Sequence, residues 1–93
     1  MARQTFASVW DAIEDTTAEA ANMRARSELM IAVRGKVESW KVSQTEAARR
    51  LGLTQPRLND LIRGRIDKFS LDALINLARP AGLAVQLKIR SAA

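Results

Sequence analysis

The side chains best equipped for chemistry fall in one short run, Thr54-Gln55-Pro56-Arg57-Leu58-Asn59-Asp60. A Gln or Asn amide donates and accepts at once, which suits the N6 and N7 edge of adenine. A guanidinium donates two parallel bonds, which suits guanine O6 and N7. Arg49, Arg50, Arg63, Arg65 and Lys68 surround the run. Cations of this kind neutralise phosphates and fix a protein on a duplex without reading sequence. The chain has no His, Cys or Tyr, so acid–base catalysis would fall to paired carboxylates. Asp11 with Glu14 or Asp15 are neighbours by proximity only. No cluster has metal-ligand spacing, and no Gly-rich loop follows a strand to cradle a phosphate. The expectation is a binding protein, not an enzyme, with no catalytic residue, metal or cofactor.

Residues 43–64 must position that run. Ala47, Ala48 and Leu51 lie at i, i+1 and i+4, one inward face of a short helix. Ala48 is small enough for a second helix to cross closely. Gly52 follows, where a left-handed C′ position costs glycine least. Leu53 plugs the turn. Thr54 is a good N-cap and Pro56 sits in the first turn, where its missing N–H costs little. Leu58, Leu61 and Ile62 recur at i, i+3 and i+4, leaving Arg57, Asn59, Asp60 and Arg63 outward; Gly64 ends the second helix. An ordinary helical hairpin shares the two-helix pattern. The small residue, glycine, cap and apolar positions falling in place together favour a helix-turn-helix, whose second helix enters the DNA major groove.

Ninety-three residues allow one domain with a modest core. The absence of Cys excludes a disulfide framework and suits a reducing compartment. No apolar run reaches membrane length, and the N-terminus lacks the apolar core of a signal peptide. A cytoplasmic protein is expected. The formal net charge of +5 is uneven. Residues 1–40 hold five basic and six acidic side chains, whereas residues 41–93 hold ten and four. The basic half is the half with the helix-turn-helix, which points to a polyanionic partner.

The flanks read differently. Phe6, Val9, Trp10 and Ile13 form an apolar stripe within an acidic amphipathic segment, residues 1–15. Too short to hold a helix alone, the stripe must dock on the core or on a partner protein, and the acidic balance suits a basic one. Thr16 to Glu19 has the form of a capping box and opens a long helix expected over 17–39. Ala18, Ala21, Ala25, Leu29, Ala32 or Val33, Val37 or the stem of Lys36, and Trp40 trace its buried face, broadened by Met23, Met30 and Val37. Gly35 marks either a kink or a close backbone approach. Phe69 anchors a basic loop. Ser70 caps a last helix that buries Leu71, Leu74, Ile75 and Ala78. The pattern then changes to period two: Leu83, Val85, Leu87 and Ile89 alternate with polar or small residues, as a one-faced strand does. A lone strand leaves its backbone groups unpaired, so a second copy across a two-fold axis is the expected partner. Pairing with a loop, or an extended tail, is the alternative.

The runs Ser43 to Arg65, Phe69 to Leu74 and Ala81 to Leu87 together resemble the XRE-type regulators of the HigA-type antitoxin group, over about residues 8–90. The resemblance implies a mainly α, lambda-repressor-like helix-turn-helix bundle of four to five helices at residues 16–93. The C-terminal β-strand at 83–89, paired across a homodimer, stands in place of the last lambda-type helix. It implies a bacterial, nucleoid-associated autorepressor that binds double-stranded operator DNA. It also implies a RelE- or HigB-like toxin as second partner; stand-alone regulators with no toxin, and modules whose main task is toxin neutralisation, are the alternatives. By the same likeness Gln44 touches a phosphate, while Thr54, Gln55, Arg57 and Asn59 face bases, with Pro56 against the groove wall. Asn59 stands where relatives often carry Ser. Deletion of residues 1–15 is expected to spare DNA binding in a mobility-shift assay and to abolish neutralisation of a RelE-like toxin. Persistence of both activities would contradict a partner role for the segment.

Overall fold

The computed structural model describes residues 14–91. Four α-helices occupy most of them: α1 Glu14–Trp40, α2 Gln44–Leu51, α3 Gln55–Ile62 and α4 Leu71–Ala78, with a 3-10 turn at Ile66–Lys68 before α4. The chain is mainly helical, as the sequence pattern requires.

Helix α1 is rich in Ala, Glu, Arg, Leu and Met, the residues that lose least on becoming helical. It begins before the capping box, so Thr16 and Thr17 lie inside it instead of opening it. It runs unbroken through Gly35, where an added Cβ would meet nothing within 4 Å. Close backbone approach is therefore not the reason for that glycine. The second half of α1 faces the core: Met30 and Val33 are buried, and Leu29, Val37 and Trp40 pack against the cluster they belong to. Ala18, Ala21 and Met23, expected on the same face, are exposed. Lys41 then turns the chain at φ 56, a left-handed conformation a lysine adopts at a cost of roughly 1 kcal/mol.

The three short helices are built by their ends. Ser43, Thr54 and Ser70 each accept a bond from the backbone N–H three residues on, at 3.1, 3.3 and 3.1 Å. At the far end of α2, Gly52 sits at φ 71; its N–H bonds Arg49 O, and Leu53 N–H bonds Ala48 O, the paired closure of a Schellman motif. Gly64, also at φ 71, closes α3 the same way, and a Cβ there would come within 3.1 Å of Arg34 Nη1 on α1. Both positions need glycine for backbone reasons.

The core gathers Met30 and Val33 of α1, Ala47, Ala48 and Leu51 of α2, Leu58 and Leu61 of α3, Phe69, and Leu74 and Leu77 of α4. Helix α1 packs chiefly on α4 and also touches α3 and the 3-10 turn, where Arg26 Nη1 donates to Ile66 O at 3.4 Å. In α4 the buried face is rotated from the expected one: Leu77 and Ala78 are buried with Leu74, and Ile75 is 40% exposed.

The expected C-terminal strand is not formed. Residues 83–91 adopt neither helix nor strand, and Leu83 is the residue of the alternating set that packs on the core. Val85 is half-exposed, while Leu87 and Ile89 are each 83% exposed. The physical reason is pairing. Alternation supplies an apolar face, but a strand exists as a ladder, and no other described segment offers an edge. The stripe Phe6, Val9, Trp10 and Ile13 lies outside the described residues.

Leu58 is fully buried at the meeting of α3 with the core. Its replacement by Ala is expected to cost about 2–5 kcal/mol in urea unfolding, a large share of the stability of a small domain. Ile31→Ala, at a 67% exposed site, should change stability by about 0.5 kcal/mol or less. Equal losses would contradict this core.

Candidate nucleic-acid interface

Helix α3 is held on three sides, and its fourth is left open. Underneath, Leu58 and Leu61 are wholly buried. On one flank Gln55 reaches α2: its Nε2 donates to Thr45 Oγ1 at 2.9 Å. The bond uses one of the two amide N–H groups. The other N–H and the carbonyl oxygen keep the donor–acceptor pair that an adenine edge requires. On the opposite flank Arg57 is half-buried. Its guanidinium carbon lies 4.1 Å from the Phe69 ring centroid, and its Nη1 donates to Lys68 O at 2.7 Å. Stacking of this kind contributes roughly 0.5–2 kcal/mol and a charged hydrogen bond about 1.5–3 kcal/mol. Pro56, Asn59 and Arg63 share the remaining face at i, i+3 and i+7, all exposed. Thr54 commits its hydroxyl to the cap, accepting from Arg57 N–H.

The surrounding cations divide into engaged and exposed. Glu46 binds two of them. Arg49 grips it with Nε at 2.9 Å and Nη2 at 2.6 Å, and Arg50 Nε donates to the same carboxylate at 3.0 Å. Arg50 also lies 5.0 Å above the Trp40 ring. Hydrogen bonds from Arg49 and then Arg50 hold the Glu46 carboxyl at about 2, against an ordinary 4.5, and the same pairing raises Arg49. The three groups carry a net charge of +1 between them. Arg65 pairs loosely with Asp60 at 3.8 Å, while Arg63 and Lys68 are exposed. Gln44, first residue of α2, is exposed beside Lys41 and Arg34 at the mouth of a small cleft.

Of the residues singled out from sequence, Thr54, Gln55, Pro56 and Asn59 converge on one end and face of α3. Gln44, Arg49 and Arg50 lie on α2, Arg63, Arg65 and Lys68 at or beyond the end of α3, and all six are exposed. Arg57 is turned aside onto Phe69. Thr45, Glu46 and Phe69 were not anticipated as partners of these groups. Period and capping rules place side chains on faces; they do not say which neighbour across a turn will take a hydrogen bond.

Two exposed helix faces, a tight glycine turn and a basic border define a helix-turn-helix, the unit that carries a second helix toward the DNA major groove. Residues 12–90 match a family model described as a helix-turn-helix domain, and the chain belongs to that family. No curated protein matches the chain. No helix among the described residues is long and apolar enough to cross a membrane.

The depressed Glu46 carboxyl has a defined pH consequence. Its folded pKa lies below the unfolded one, so its contribution is fully present above about pH 4.5 and is lost as pH falls through about 2. Carbon NMR of the Glu46 carboxyl should show a midpoint near 2. Glu46→Gln should remove that titration and, by freeing Arg49 and Arg50, steepen the salt dependence of DNA binding by about one or two units. A midpoint near 4.5 would contradict the triad.

Proposed function

We propose that the protein is a sequence-specific DNA-binding transcriptional regulator acting through the exposed face of α3. The observation that carries this reading is the placement of Gln55. Its amide is oriented by Thr45, and beside it Pro56 and Asn59 stand exposed on the helix. Gln55 and Asn59 would read base edges, Thr54 and Pro56 would lie against the groove wall, and Gln44, Arg63 and Lys68 would meet phosphates. Arg49, Arg50 and Arg65 would join them by exchanging carboxylate partners for phosphates.

Pairing of two copies through residues 83–89 belongs to the same reading. Val85, Leu87 and Ile89 are exposed, and Leu83, Val85 and Leu87 border an apolar groove of about 360 Å³ against Leu29, Ala32 and Ile75. A second copy of the segment would satisfy the backbone and cover the apolar face. The likeness to XRE-type regulators of the HigA-type antitoxin group supports an autorepressor in the bacterial cytoplasm, associated with the nucleoid. It also supports a RelE- or HigB-like toxin as second partner. Ala18, Ala21 and Met23 of α1 are exposed, Met23 at 41%, which favours a protein contact there.

Selection from random duplexes tests the reading. A pseudo-palindromic site with half-sites ~34 Å apart is expected. Gln55→Ala should lose about 1–3 kcal/mol of base discrimination at one position of each half-site. Truncation after Gly82 should leave a monomer at micromolar concentration by light scattering. Equal weakening of selected and random DNA by Gln55→Ala would contradict base reading, and a persistent dimer would contradict the pairing.

A further inference from the structure

Arg57 has the side chain most suited to guanine, yet its flat face and one N–H of Nη1 are engaged within the protein. The guanidinium covers the Phe69 ring at 4.1 Å and bonds the Lys68 carbonyl at 2.7 Å. Phe69 is a core residue with 1% of its surface exposed. Lys68 ends the 3-10 turn, and Ser70, two residues on, caps α4. The Arg57 backbone is committed too, since its N–H donates to Thr54 Oγ1. Swinging the side chain to a base would uncover a buried ring and strip a carbonyl of its donor. Gln55 and Asn59 face no such conflict, since Gln55 keeps a donor and an acceptor free and Asn59 is exposed.

We propose that Arg57 is a positioning residue. Stacked on Phe69 and bonded to Lys68 O, it fixes α3 against the 66–70 loop and reads no base itself. The inference rests on the DNA-binding reading above. Helix α3 is only eight residues long, so its orientation depends on what grips its flanks. The Gln55–Thr45 bond holds one flank to α2, and the Arg57 clamp holds the other to the connection leading into α4. With both in place, the open face carrying Pro56 and Asn59 is presented at one angle. The base-edge geometry of Arg57, expected from residue type alone, gives way to a structural use of the same planar group.

The proposal separates from its rivals in the full-length protein. A duplex selected by the wild type from random sequences is the probe. Arg57→Ala should weaken it about tenfold, the scale of losing one stacked cation. The penalties for single base-pair changes should stay as in wild type, and so should the salt slope. Arg57→Lys, which keeps the charge and loses the flat stack, should behave like Ala. A vanished penalty at one base pair would make Arg57 a base reader and overturn the proposal. Rescue by Lys, or a slope lower by about one in Arg57→Ala, would make it a phosphate contact and overturn it equally. Proton NMR of the wild type supplies a readout that needs no variant. The Arg57 side-chain protons should be shifted upfield by the Phe69 ring, and should stay so when the selected duplex is bound. Loss of the shift on binding overturns the clamp. Failure to enrich any duplex overturns the DNA-binding reading and the positioning role with it. The ring shift in the free protein tells that failure apart from failure of the clamp.

Discussion

Burial of Leu58 and Leu61 is the contact on which the rest depends. An eight-residue helix is unstable alone in water. Helix α3 exists because these two side chains, both with no exposed surface, lock its underside into the core with α1 and α2. Everything that could recognise a partner is set by that anchoring. It decides which face of α3 is turned away from the protein, and so makes Pro56, Asn59 and Arg63 available. The small Ala47 and Ala48, both buried, keep α2 close enough for Thr45 to reach Gln55. The Schellman closures at Gly52 and Gly64 stop each helix where the next element must begin.

Electrostatics refines this scaffold without building it. The basic half of the sequence suggests a broad positive surface, but several of its charges are engaged internally. Glu46 holds Arg49 and Arg50, Asp60 holds Arg65, and the Arg57 guanidinium lies on Phe69. Exposed pairs of this kind contribute little to stability and are screened by salt. Their larger consequence is for association. A cation shared with a carboxylate must exchange partners to meet a phosphate, which makes part of the positive surface conditional. Arg63 and Lys68 are exposed and give the more direct attraction.

Local rules carried the sequence reading far where the physics is local. Caps at Ser43, Thr54 and Ser70, glycine stops, the inward faces of α2 and α3, and Phe69 as an anchor were all legible, because each depends on residues within a few positions. Misses arose where distant groups decide. The buried face of α4 turns toward Leu77, away from Ile75, because α1 sets it. The alternation of Leu83 to Ile89 announced a strand, yet a ladder needs an edge that no described segment provides. Residue type marks Arg57 as a base reader, and no local rule shows the ring twelve residues later in the chain that lies beneath its guanidinium.

The central claim is that the open face of α3 makes the sequence-specific contact. Amide shift mapping with nitrogen-labelled protein and a selected duplex tests it most directly. The account predicts the largest changes at Gln55, Asn59, Arg63 and the Thr45 amide that neighbours them, with smaller ones at Gln44 and Lys68. Changes confined to the first half of α1 or to residues 83–89, with α3 unmoved, would contradict it.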